Sequence, residues 1–275
     1  MLQSKSSTRR SASRSGVDDL VGNEIRRGPH LREMPVRCIA ELNVRGGSRL
    51  RWETRRKHKT KVAIVIFPNI TVLDFIGPYE PLNRLPNVNV VLVSHSKGII
   101  RAEKSLIGFE ATATFDEVQE PDIVIVPGGY GVNALIRDKP ILDWIRKTHE
   151  KTLYTTSVCT GSLLLAAAGI LNGLEATCHW RVLPELSKFG AKPTSSRIVE
   201  SGKIITAAGV SAGIDMGLKL VALLSNDTTC KLIQLVIEYD PQPPFDCGSP
   251  AAAGPELVSM ARAYAEKNYP DYFIF

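Results

Sequence analysis

From Lys61 onward, short apolar runs alternate with stretches of helical spacing. Residues 62–67 are β-branched and aromatic without polar alternation, the pattern of a strand buried on both faces. Residues 88–93, 123–126 and 152–158 predict three more strands. Between them, 73–85, 140–151 and 161–171 carry helical spacing, and Pro140 suits a first helical turn. Glu200-Ser201-Gly202-Lys203 predicts a tight turn between two short strands over 198–205. Residues 211–224, 228–238 and 255–267 predict further helices, with a proline break at 241–244. Strands alternating with helices predict an α/β fold, its mainly parallel sheet covered on both faces.

The first 60 residues lack this periodicity. They hold 15 Lys/Arg against 6 Asp/Glu, whereas residues 61–275 hold 19 against 22. The basicity of the chain thus belongs to a leader, expected to be unstructured, and the body offers little to nucleic acid. The leader reads as a solvated tail, with Met34 as another start, or as a basic tether to an acidic surface. A mitochondrial transit peptide is a weaker reading, because Asp18, Asp19, Glu24 and Glu33 oppose it. Residues 61–275 are expected to form one domain. No run approaches the roughly 18 apolar residues of a membrane span. Five unevenly spaced cysteines do not make a disulfide framework, so a reducing, cytoplasmic setting is expected.

Three strand ends carry unusual residues. In open α/β sheets, ligands bind beyond the carboxyl ends of the strands. Thr155-Thr156-Ser157-Val158 runs into Cys159, and Gly161-Ser162 opens an apolar helix at once. A side chain on so sharp a turn projects from the sheet like a nucleophile on an elbow. A helix N-terminus also favours thiolate, lowering the free-cysteine pKa of about 8.5 to as little as 3.5. Pro127-Gly128-Gly129-Tyr130-Gly131 follows another strand; it is a tight turn or a source of backbone N–H donors. It is not a phosphate loop, and nothing points to a nucleotide. Asp74, in Leu73-Asp74-Phe75-Ile76-Gly77-Pro78, is a helix cap or an acid whose pKa burial would raise. His179 reads as a core histidine or as a partner for the cysteine, and Cys178 and Cys230 as small buried hydrophobes. No His/Cys/Asp cluster has zinc-like spacing.

Val65-Ile66-Phe67-Pro68, the Asp74 segment, Val126-Pro127-Gly128-Gly129 and Ser157-Val158-Cys159-Thr160-Gly161-Ser162 together resemble the DJ-1/PfpI superfamily. Ala176-Thr177-Cys178-His179-Trp180 and Gly209-Val210-Ser211-Ala212-Gly213-Ile214-Asp215 resemble its isonitrile hydratase branch. So do Glu238-Tyr239-Asp240-Pro241-Gln242-Pro243-Pro244-Phe245 and Gly248-Ser249-Pro250. The resemblance runs from about residue 61 to 260. It implies a flavodoxin-like three-layer sandwich of the class I glutamine amidotransferase and DJ-1 type, usually a homodimer. It implies that Cys159 is the nucleophile, that Asp74 is the acid bonded to it, and that Thr160 is also catalytic. The backbones of Gly129 and Thr160 would face the substrate, with His179 in support.

Thr160 stands where the protease and glyoxalase branches place histidine, so their Cys–His pair is missing. The implied activity is that of a hydro-lyase without cofactor or metal. It would add water to a small isonitrile through a thioimidate on Cys159 and release an N-substituted formamide. No nucleic-acid or membrane partner is implied. The alternative is a redox sensor or regulator on the same domain. Relatives of that kind carry an added AraC-type helix-turn-helix module, for which the residues after the last predicted helix leave no room.

Overall fold

The structure is a computed structural model that describes residues 59–269. The expected basic leader lies, apart from its last two residues, outside the described residues. Among the described residues, eleven strands and seven α-helices follow one another. They are β1 (Thr60–Val65), α1 (Val72–Leu82), β2 (Val88–Ser94), β3 (Gly98–Arg101), β4 (Gly108–Ala111), β5 (Ala113–Thr114) and β6 (Ile123–Val126). Then come α2 (Val132–Leu135), α3 (Lys139–Lys151), β7 (Tyr154–Val158), α4 (Gly161–Ala167), β8 (Glu175–Ala176) and β9 (Lys192–Pro193). The last are β10 (Ile198–Ser201), β11 (Ile204–Ala207), α5 (Ala212–Leu224), α6 (Asp227–Val236) and α7 (Pro250–Asn268).

The main sheet has the strand order β10-β11-β7-β6-β1-β2-β5. Every pair is parallel except β10–β11, the hairpin predicted around Gly202. Its centre is apolar on both faces: Val62 lies opposite Val90 of β2 and Ile123 of β6, and all three residues 62–64 are fully buried. Helix α1 packs on α5 and α5 on α6, while α3 packs on α4. The predicted α/β fold with a mainly parallel sheet is therefore the one observed. Among the described residues, no helix is long and apolar enough to cross a membrane.

Local chemistry explains most boundaries. Asp138 caps α3 by accepting from the Ile141 N–H at 3.2 Å, two residues ahead of the first-turn Pro140. Asn226 caps α6 in the same way at 2.9 Å. The helix predicted over 161–171 stops at Ala167 because the chain turns left-handed at Gly169, whose φ is +83°. The helix predicted from Pro255 holds, but α7 also has a turn ahead of it, broken at Gly254 with φ +78°. Strands β3, β4, β5, β8 and β9 and helix α2 had no prediction. Each has four residues or fewer, too short for a period to show.

Candidate active site

Strands β1, β6 and β7 are adjacent and parallel, so their carboxyl ends share one edge. The chain leaves β1 for β2 on one side, while β6 lies on the other. That reversal is a topological switch point, where α/β sheets open a crevice. Asp74 from α1, Gly128 after β6 and Cys159 after β7 meet there.

Cys159 adopts φ +59°, a left-handed backbone rarely taken by a side-chain-bearing residue. The turn is pinned from both sides. The Cys159 N–H donates to the Ala207 and Ala208 carbonyls at 3.1 and 2.9 Å. At Gly161 a Cβ would fall 2.0 Å from the Val126 carbonyl oxygen, so only glycine lets α4 start this close to β6. The elbow predicted from the sequence is present, but its thiol is not exposed: Cys159 is 3% accessible. Burial pushes the thiol well above its ordinary pKa, and the Asp74 charge and neighbouring Cys178 add to this. The backbone N–H groups of Val210 and Thr160 pull the other way. The expected easy thiolate is thus corrected, since desolvation outweighs the donors and the helix end.

Asp74 is fully buried. Burial raises its pKa from 3.8 to about 7; the Gly128 N–H and the Cys159 thiol favour its charge, and nearby Glu103 disfavours it. The Gly128 N–H donates to Oδ2 at 2.9 Å, while Oδ1 has no partner of ordinary hydrogen-bond geometry. Asp74 does not cap its helix. It is the third residue of α1, Thr71 occupies the cap position, and its carboxylate bonds across to another loop. Helix α1 holds it at depth by packing closely on α5. At Gly217 a Cβ would lie 2.7 Å from Pro78 Cα, and at Gly77 one would lie 3.2 Å from the Ile214 nitrogen.

Thr160 is also fully buried, and its hydroxyl accepts from the Gly129 N–H at 3.0 Å. The Gly129 N–H, expected to face a substrate, is therefore engaged in positioning Thr160. Gly128 leaves the space that Asp74 and Thr160 share: a Cβ there would come within 2.4 Å of Thr160 Oγ1 and 2.9 Å of Asp74 Oδ2. His179 stands one layer back. Its Nδ1 accepts from the Arg181 N–H at 3.3 Å, and burial and the Arg181 charge lower its pKa to about 4, leaving it neutral. Its ring lies against Gly209, where a Cβ would come 2.9 Å from Cδ2.

Four further residues were not read from the sequence as participants in the site. Val210 sends its N–H to the thiol from a backbone at φ +26°. The Cys178 thiol donates to the Cys159 carbonyl at 3.2 Å, so this buried cysteine supports the elbow. Glu103 accepts from Thr71 Oγ1 at 2.6 Å, and its charge reaches Asp74. Tyr130 packs on Tyr269, and burial and that neighbour push its hydroxyl pKa up. The Cys178-His179-Trp180 segment was legible only as a motif. Among the described residues, no three or more His, Cys, Asp or Glu side chains group so as to hold a metal ion.

Known proteins share this sequence and fold. The chain is 42% identical over 206 residues to the isonitrile hydratase of Pseudomonas putida, covering 74% of this chain and 90% of that one. It is 25% identical over 165 residues to the HTH-type transcriptional regulator CdhR of Pseudomonas aeruginosa, covering 58% of this chain but 48% of the regulator. The crystal structure of a ThiJ/PfpI family protein from Pseudomonas syringae superposes with a TM-score of 0.74 at 35% identity, covering 80% of this chain and 89% of that one. The pattern of the DJ-1/PfpI family matches residues 60–223, and the chain belongs to that family.

Proposed function

We propose that the protein is an isonitrile hydratase, adding water to an isonitrile to give an N-substituted formamide. The observation that carries this reading is the buried Cys159–Asp74 pair with Thr160 at the elbow. It is supported by likeness to the Pseudomonas putida isonitrile hydratase over nearly all of that protein.

The pair suits an addition that begins with one proton. With Asp74 ionised, the carboxylate takes the Cys159 proton as the sulfur attacks the terminal isonitrile carbon. Asp74 then delivers that proton to the same carbon, leaving a thioimidate on Cys159. Water, oriented by Asp74 and the Thr160 hydroxyl, adds to the thioimidate carbon. Collapse breaks the C–S bond, releases the formamide and returns the proton to sulfur. Covalent catalysis divides one difficult hydration into two easier steps. A carboxyl pKa of about 7 serves both transfers at neutral pH, because it can accept and donate. No cofactor or metal enters this scheme. The reading includes a homodimer of the cytoplasm acting on a small molecule. The net negative body offers nothing to nucleic acid.

The regulator reading draws on the likeness to CdhR, but one observation weighs against it. Redox-sensing cysteines have a low pKa and are accessible, whereas Cys159 is buried with its pKa pushed up. The test is formamide formation from a simple alkyl isonitrile by the unaltered protein beside Cys159→Ala. Turnover lost in Cys159→Ala supports the reading. Absence of turnover on alkyl and aryl isonitriles alike overturns it in favour of the regulator.

A further inference from the structure

Two loops that touch the Cys159 elbow carry aromatic residues, and residues of the C-terminal helix and its end lie on both rings. Tyr130 follows Gly129, whose N–H holds Thr160. Trp180 follows His179, whose ring lies against Gly209, the residue before the thiol-facing Val210. The Tyr269 ring, just past the end of α7, lies on Tyr130 with centroids 4.9 Å apart and planes at 31°. The Arg262 guanidinium lies 5.1 Å over the Trp180 ring. Ala265, between them, is the one buried residue among those described in α7. Residues 262, 265 and 269 are spaced to share one helix face. That face lies on the loops that border the nucleophile.

The rest of α7 is loosely tied. Leu257, Met260 and Tyr264 are exposed, as is every residue from 240 to 250 that leads into the helix. Gly254, at φ +78°, breaks the helix just ahead of Pro255. Cys159, Asp74 and Thr160, by contrast, are closed off from solvent. A substrate reaches them only if some part of the cover moves. Strand β7 and helix α4 belong to the core, whereas the end of α7 is held through the Tyr130–Tyr269 stack with a hydroxyl hydrogen bond, a cation over an indole and one small side chain.

We propose that the C-terminal half of α7 is a lid over the approach to Cys159, with Arg262 and Tyr269 setting which substituents the site admits. Withdrawing the lid frees the faces of Tyr130 and Trp180. Flat apolar faces suit uncharged isonitriles with an aryl or bulky alkyl group on nitrogen. The substrate class rests on the hydratase reading; the lid does not.

The test uses the full chain carrying Arg262→Ala and Tyr269→Ala together. Alkylation of Cys159 is followed by peptide mass mapping, with iodoacetamide as the small reagent and N-(1-pyrenyl)maleimide as the bulky one. Turnover of methyl and 2-naphthyl isonitrile is measured alongside. The double variant should react with the bulky reagent roughly tenfold faster, equivalent to about 1.4 kcal/mol removed from the closed state. Iodoacetamide should gain much less, and kcat/KM should rise for the naphthyl over the methyl substrate. Tyr269→Trp enlarges the stack without deleting it, so it should slow the bulky reagent even if the double variant melts early. Wild-type labelling rates for both reagents in both proteins overturn the lid. Size-dependent labelling without turnover of any isonitrile leaves the lid standing and removes the hydratase. Turnover with labelling and substrate preference unchanged does the reverse.

Discussion

Asp74→Asn should make the protein more stable at alkaline pH and less active. The carboxyl is buried, and burial raises its pKa from 3.8 to about 7. Between those values the folded state holds a proton that the unfolded chain has released. Stability contributed by this group therefore falls as pH rises from about 4 to about 7 and is level above that. Roughly three pKa units at 1.36 kcal/mol each give about 4 kcal/mol carried at pH 8. Asparagine recovers part of it. The Gly128 N–H exchanges a charged acceptor for a neutral one, losing about 1 kcal/mol, and a buried amide N–H without a partner costs about 1 more. The net gain is about 2 kcal/mol at pH 8. At about 2–4 °C per kcal/mol for a domain of this size, that is a rise of about 4–8 °C in Tm. Melts of both proteins in parallel from pH 4 to 8 read this directly: the difference should widen with pH up to about 7 and then level. Turnover of the variant should drop by roughly 10²–10⁴, the range for general acid–base help. A Tm difference that is flat across the pH range would refute the assignment of the raised pKa to burial of this carboxyl.

The same pKa sets the rate profile. Attack requires an ionised Asp74 to take the thiol proton, so kcat/KM should climb with pH through about 7, and an acid-side limb elsewhere would assign the base to another group. Thr160→Val removes the acceptor of the buried Gly129 N–H and should lower the unfolding free energy by about 1–3 kcal/mol in denaturant titrations. An unshifted midpoint would show that the bond contributes nothing. Gly128→Ala drives a methyl into Thr160 Oγ1 and Asp74 Oδ2 and should cost about 1–3 kcal/mol of stability together with most of the turnover. Normal kinetics in that variant would mean that the cradle is not shared as described.

What the sequence revealed followed the strength of its periodicities. The central strands are unbroken apolar runs because both faces are buried, and helices such as α3 declare themselves through Pro140 and the spacing of their apolar residues. The separate β3–β4 hairpin escaped because its strands have four residues each and apolar Ile99, on the exposed side, hides the alternation of burial. The site divided the same way. Cys159 was legible because a strand, one residue and a helix-opening glycine form a local signature. Asp74 was legible as a carboxylate among apolar neighbours, though only the Thr71 cap position and the Gly128 bond show that it does not cap α1. Val210 and Glu103 act through one backbone N–H and one long-range charge. Val210 stood in the sequence only as one position of the 209–215 motif and Glu103 not at all, so folding brings their roles into view.

Backbone strain and the buried charge share one place. Val210 is β-branched yet held at φ +26°, and Cys159 at φ +59°. Such conformations cost on the order of 1–3 kcal/mol each and persist only where the surroundings impose them. Here the close α1–α5 packing sets where α5 begins, and with it the direction of the Val210 N–H. What that strain secures is a pair of backbone donors, from Val210 and Thr160, aimed at the sulfur. They do not overcome burial, so the thiol keeps its proton at rest. They do lower the cost of the charge that appears when Asp74 takes that proton. A site arranged in this way withholds its thiolate until a substrate is present, which suits nucleophilic turnover and shields the sulfur from oxidants between cycles. An oxidant sensor needs the opposite: a standing thiolate open to solvent. The burial of Cys159 at 3% accessibility therefore sits better with the proposed hydratase than with a solvent-open sensor cysteine.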